Sequence, residues 1–183
     1  MIFGLSPTKH AVVVAHTTGS GASFAIKSIT SIPFEVQSGD DLTALLRRLV
    51  ALFGGVPKIV PKIVPKTGGK RRRATIALLA SSSGRFKSSV EAIKAEAIVE
   101  LAAAESGLPV VKVPAASLKK ALGCAEGQKW QARAAERFND EGRHKNWSQG
   151  AAGAAAAALK VAGGPSQASL TRPRGFDTPG TRR

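Results

Sequence analysis

The sequence predicts one α/β domain built on a five-stranded mixed sheet, three antiparallel strands followed by two parallel ones, with helices on its flanks. Three observations predict it. The first thirty residues hold three short apolar segments separated by tight polar turns, the pattern of an antiparallel meander. The apolar period then switches to that of a helix. Two later apolar runs enclose one long helix, and a strand–helix–strand unit makes a right-handed parallel crossover.

The elements follow in order. "MIFGLSPTKHAVVVAH" reads as a strand at Ile2 to Leu5, a turn at Ser6-Pro7-Thr8-Lys9, and a strand at Ala11 to His16. Gly19-Ser20-Gly21 turns the chain into a third strand, Ala22 to Ile29. Leu42, Leu45, Leu46, Leu49 and Phe53 then fall at helical spacing, with Ser38 or Asp40 as cap and Gly54-Gly55 as terminator. Pro57, Pro61 and Pro65, four residues apart, forbid a helix or a central strand in the repeat "VPKIVPKIVPK". That stretch is expected to be an extended, solvent-facing insert, about 55–73. "ATIALLA" predicts a buried strand at Ala74 to Ala80. A helix is expected near Ser89 to Glu105, with a capping box from Ser88 to Glu91. Its apolar stripe is Val90, Ile93, Ala97, Ile98 and Leu101. Pro109 to Val113 is a short strand, and helices follow at Ala115–Leu122, Glu126–Asp140 and Trp147–Ala162. The domain therefore spans 1–162. The tail 163–183, rich in Gly, Pro, Ser, Thr and Arg, is expected to be disordered and basic.

Composition narrows the function. The 183 residues carry a net charge of +15, which favours a polyanionic partner, above all nucleic acid. Most of that excess lies on the insert and tail. Lys58, Lys62, Lys66, Lys70, Arg71, Arg72 and Arg73 stand together without an acid. A single cysteine, Cys124, excludes an internal disulfide and a cysteine zinc cluster. His10, His16 and His144 are scattered and read as structural or solvent-facing. The apolar run Ala11–Ala15 is too short to span a bilayer. The N-terminus lacks the pattern of a signal peptide, so no membrane association and a cytoplasmic location are the expectations.

The stretch "GRFKSSVEAIKAEAIVELAAAESGLPVVKVPAASLKKALG" resembles the central part of RuvC-type Holliday junction resolvases, and more so a small family of RuvC-like bacterial proteins. The residues that carry the resemblance are Gly84-Arg85-Phe86, Glu96, Leu108-Pro109-Val110, Pro114, Lys119-Lys120 and Gly123. "MIFGLSPT" is similar to the resolvases' opening "GIDPG". "GCAEGQKWQARAAERF" is similar to a later segment, with Lys129 at its basic position. The resemblance covers about residues 1–160 without the insert. It implies a ribonuclease H-like fold and allows a homodimer.

The departures bear on chemistry. Such resolvases hold two divalent metals about 4 Å apart with four acids, which activate water and stabilise the leaving oxygen. The resemblance places the first acid at Ser6, the second at the strand end Ala80-Ser81, and the last pair at Gly150 and Gly153. None is a carboxylate, and hard divalent cations need charged oxygen ligands. The chain is therefore expected to be a degenerate nuclease, without a metal cofactor, that binds DNA or structured RNA by backbone charge and shape. The candidate contacts are the insert cations together with Arg85, Lys87, Lys119, Lys120 and Lys129. Arg85 and Lys87 sit before a helix start, where free N–H groups hold phosphate. Trp130 and Trp147 read either as base-stacking or as helix-packing residues. Two alternatives stand beside this reading. One is a Mg- or Mn-dependent resolvase with a site relocated to Glu91, Glu96 or Glu100. The other is an assembly or interaction factor with basic arms.

Overall fold

The computed structural model describes residues 1–54, 74–80, 89–144 and 147–163. Among them the element order is β1 (Ile2–Pro7), β2 (Ala11–Thr18), β3 (Ala25–Pro33), α1 (Gly39–Gly54), β4 (Thr75–Leu79), α2 (Val90–Glu105), β5 (Val110–Val113), α3 (Leu118–Leu122), α4 (Trp130–Phe138) and α5 (Gln149–Val161). The strands form one sheet in the order β3-β2-β1-β4-β5. β1–β2 and β2–β3 are antiparallel, and β1–β4 and β4–β5 are parallel. This is the mixed sheet that the alternation of periods predicts.

Alternation along the strands sorts side chains between two layers. Phe3 and Leu5 of β1, Val12 and Val14 of β2, and Ile76 and Leu78 of β4 face one way. They pack with Leu45, Leu49 and Phe53 of α1 and with Ala95, Val99, Ala102 and Ala103 of α2. Ala77 of β4 and Val113 of β5 face the other way. There they meet Leu118 and Leu122 of α3, Ala134 of α4, and Ala152, Ala156, Ala157 and Leu159 of α5. α5 is buried without interruption from Gly150 to Leu159. A helix this rich in Ala and Gly can lie close to a sheet on every side, because no long side chain holds it away.

Local signals explain the ends. Ser38 and Asp41 cap α1 reciprocally: Asp41 N–H donates to Ser38 Oγ, and Ser38 N–H donates to Asp41 Oδ2 at 2.9 Å. The Asp41 carboxyl is held below its ordinary value by the Ser38 and Gln37 amides and the Ser38 hydroxyl. Gly123 ends α3 with φ 67°, the left-handed cap that lets Cys124 N–H donate to the Lys119 carbonyl. Lys112 of β5 reaches α2, with its Nζ 2.7 Å from Glu100 Oε1 and 3.2 Å from Glu96 Oε1. Those two carboxylates, Glu100 first, raise the Lys112 ammonium above its ordinary value.

Four expectations need correction. The third strand begins at Ala25 rather than Ala22 and runs on to Pro33, because Gly21–Ser23 form a 3-10 turn. The cap of α2 is Ser89, whose Oγ accepts from Ala92 N–H, rather than a box begun by Ser88. The helix expected over 126–140 is regular only from Trp130 to Phe138. The fourth correction concerns α2 itself. The apolar stripe read for it, which would ordinarily face the core, is largely exposed, with Val90 62%, Ile93 53% and Leu101 46% accessible. The helix buries Ala92, Ala95, Val99, Ala102 and Ala103 instead.

Candidate functional site

The C-terminal end of β1 is where the resemblance places metal-binding acids, and the fold brings most of those positions together. Ser6 is the next-to-last residue of β1 and is 4% exposed. Leu79 ends β4, and Ala80 follows it, tied by its N–H to the Val113 carbonyl. α5 crosses above them. A Cβ placed on Gly153 would stand 2.7 Å from Leu79 Cδ2 and 2.9 Å from Ser6 Oγ. Gly150, one turn earlier, lies over the β1–β2 turn, where a Cβ would stand 2.8 Å from Val13 Cγ2 and 3.0 Å from Thr8 Cγ2. Ser6, the end of β4 and Gly153 therefore meet at one point, and Gly150 extends the contact. Ser81 lies outside the described residues.

The residues at this point do not fit a divalent metal. Serine, alanine and glycine supply no carboxylate. The helix also sits in van der Waals contact with the strand ends, whereas an octahedral Mg²⁺ needs oxygen ligands at about 2.0–2.1 Å on all sides and keeps several waters. Deeper along the same contact, a Cβ on Gly4 would run into the backbone carbonyl of Ala154. The seat of α5 on β1 is thus set by backbone against backbone. Among the described residues, no three of His, Cys, Asp and Glu gather where they could hold a metal ion.

The acids of α2 are otherwise engaged. Glu96 and Glu100 bind Lys112. Glu91 lies at the start of α2. Its own amide and the Ser89 hydroxyl lower its carboxyl, and the nearby charges of Lys9 and His10 add to this. His16 stacks on Phe3 at 5.0 Å between ring centroids, so it is a packing residue. A groove of about 440 Å³ opens between the sheet and α1, lined by His10, Pro33, Phe34, Asp41 and Arg48 among others. Its polar groups are partly spent on the fold, since Arg48 donates to the Pro33 carbonyl and Asp41 caps α1.

Lys119 and Lys120 on α3 and Lys129 at the start of α4 are all exposed. α3 and α4 pack on the α5 side of the sheet, so these cations share the layer that holds Gly150 and Gly153. Arg133 and Arg137 continue along α4. Arg133 pairs with Glu136 at 3.0 Å. Burial, with the charge of Arg133 added, lowers Arg137 from its ordinary value. Trp130, Trp147 and Cys124 pack partly buried against the core of this layer. Lys58, Lys62, Lys66, Lys70, Arg71, Arg72, Arg73, Arg85 and Lys87 lie outside the described residues. Among the described residues, no helix is long and apolar enough to cross a membrane.

No protein-family model matches the chain. No curated protein sequence matches it either. Solved structures do match. Thermus thermophilus RuvC in complex with a Holliday junction substrate superposes with a TM-score of 0.60 at 15% identity, over 86% of this chain and 89% of that one. A second Thermus thermophilus RuvC structure gives 0.58 at 16% identity, over 86% and 90%. At such identity the likeness speaks for fold. Together with the sheet order and strand directions, it shows that this chain has the RuvC-like form of the ribonuclease H-like fold.

Proposed function

We propose that this protein binds nucleic acid through its RuvC-like fold and does not cut it. The observation that carries the non-catalytic half is the contact of Gly153 with Ser6 and Leu79, which puts a packed helix where the fold would need carboxylates and metal. Binding is supported by the net charge of +15 and by the exposed lysines 119, 120 and 129 on the same layer. It is also supported by the junction-bound state of a structural neighbour. Recognition would rest on phosphates, since backbone charge alone gives sequence-independent binding. The insert cations Lys58 to Arg73, with Arg85 and Lys87, would add to that charge.

The relocated-site nuclease is the weaker reading, because Glu96 and Glu100 already neutralise Lys112. A binding panel of four-way junction, duplex, single strand and structured RNA at two salt concentrations tests the proposal, with a Mg²⁺ or Mn²⁺ cleavage assay alongside. The expected result is salt-sensitive binding without cleavage. Metal-dependent cutting that is lost in Glu91→Gln, Glu96→Gln or Glu100→Gln would establish the relocated site. Failure to bind any of the four at low salt would favour the assembly-factor reading.

A further inference from the structure

The outer side of α4 carries a row of cations that the fold leaves short of counter-charge. Lys129, at the cap of α4, Arg133 and Arg137 stand every fourth residue, so they lie about 6 Å apart along the helix axis. Like charges at that spacing repel. Among the described residues the row makes one ion pair, Arg133 with Glu136, and neither Lys129 nor Arg137 belongs to one. The two arginines feel each other, since burial, with the charge of Arg133 added, lowers Arg137. Arg133 is also incompletely satisfied. Its Nη1 donates to Glu136 Oε2 at 3.0 Å, an oxygen that also accepts from Gln128 Nε2. Its Nε is shielded from water and has no hydrogen-bond partner, although 41% of the side chain is exposed. A guanidinium grips an oxyanion best with two parallel N–H bonds, and the pose against Glu136 uses one.

We infer that Arg133 and Arg137 form a phosphate-binding site at the end of the fold away from Ser6, where α4 guides one strand of a bound nucleic acid. The place follows from packing. Phe138, beside Arg137, lies against Phe24 with 5.6 Å between ring centroids. Phe24 leads into β3, where Ala25 pairs with Thr18 and Ile26 with Thr17, and Thr17 pairs with Ile2. This is the end of the sheet at which β1 begins, and Ser6 stands near the other end of that strand. The site is therefore separate from the contact of Gly153 with Ser6. Turning Arg133 away from Glu136 frees its Nε and an Nη for two oxygens of one phosphate. Arg137, held over the Phe138 ring at 5.5 Å, stands one turn on for the next phosphate of the same strand. Lys129 continues the row. Glu136 is the anion that the phosphate replaces. The inference rests on the reading that this protein binds nucleic acid, and adds the course of the strand.

Salt titrations of the intact chain with a long duplex test it. Arg133→Gln/Arg137→Gln should flatten the slope of log affinity against log salt by about two units, with an unchanged far-ultraviolet circular dichroism showing that the variant is folded. Glu136→Gln should tighten binding by about twofold or more, because it removes the competing carboxylate. An unchanged slope in the double variant overturns the site, and unchanged or weaker binding by Glu136→Gln overturns the exchange of Glu136 for phosphate. A wild-type chain that binds no duplex at low salt overturns the nucleic-acid reading instead. The Arg133 Nε–H resonance, followed during titration with inorganic phosphate against chloride at equal ionic strength, then decides the site by itself. A shift specific to phosphate supports it with free phosphate as the ligand, and no shift overturns it.

Discussion

Gly4 of β1 lies directly under the carbonyl of Ala154 in α5, with no space for a side chain between strand and helix. A methyl at position 4 would meet that carbonyl and also the Ala158 methyl at 2.9 Å. Both α5 and β1 are central to the fold, so neither can step aside cheaply. Gly4→Ala is expected to destabilise the protein by about 3 kcal/mol. Gly39→Ala, where an added methyl meets nothing within 4 Å, should stay within about 0.5 kcal/mol. Urea unfolding of the two variants makes the comparison.

Carboxylates placed at the end of β1 and on α5 are not expected to make a nuclease. Ser6→Asp combined with Gly153→Asp would set two carboxylates at a point that is packed and, at Ser6, 4% exposed. Leu79 and Ser6 would both have to rotate away from the new side chain. The expected outcome is a loss of more than about 2 kcal/mol and no cleavage of a four-way junction with Mg²⁺ or Mn²⁺. A rise in melting temperature on adding either metal would show that the helix lifts to admit an ion.

Lys112 gives the protein an alkaline dependence of known sign. Glu100 and Glu96 raise its folded-state value above the ordinary 10.5. The contribution is therefore full below pH 10.5 and is lost as pH rises through the raised value. Lys112→Met should remove that part of the alkaline loss of stability. Denaturation midpoints followed above and below pH 10.5 in both proteins measure it, and identical profiles would mean that the ion pairs carry no net stability.

The exposed lysines of α3 and α4 can be tested apart from the insert. If Lys119, Lys120 and Lys129 each engage a duplex phosphate, each releases counterions worth about 0.9 in the slope of log affinity against log salt. Replacing all three by Ser should flatten the slope by roughly two to three units. It should weaken binding about equally for all duplex sequences. Replacing Lys70, Arg71, Arg72 and Arg73 by Ser should flatten it by roughly three to four units. Salt titrations with one duplex decide which set contacts the backbone.

The order of elements and the mixed sheet were legible in the sequence, because each rests on neighbours in the chain. Alternation in β1 and β2 and the helical period after Leu42 need no knowledge of distant contacts, whereas the acid positions assigned to Ser6, Gly150 and Gly153 rest on the resemblance. The buried face of α2 was not legible. That helix is apolar or alanine-rich on both sides, so its period does not select between Val90, Ile93 and Leu101 on one face and Ala95, Val99 and Ala102 on the other. Packing against α1 and the sheet selected the face of smaller residues, which allows the closer approach. The ion pairs of Lys112 were equally invisible, since they join β5 to α2 across the layer. Tertiary structure alone decided that α5 closes onto Ser6. Two glycines three residues apart can mark a vacated site or a tight seat, and only the close approach of Gly4 to the Ala154 carbonyl and of Gly153 to Ser6 shows that the seat is tight.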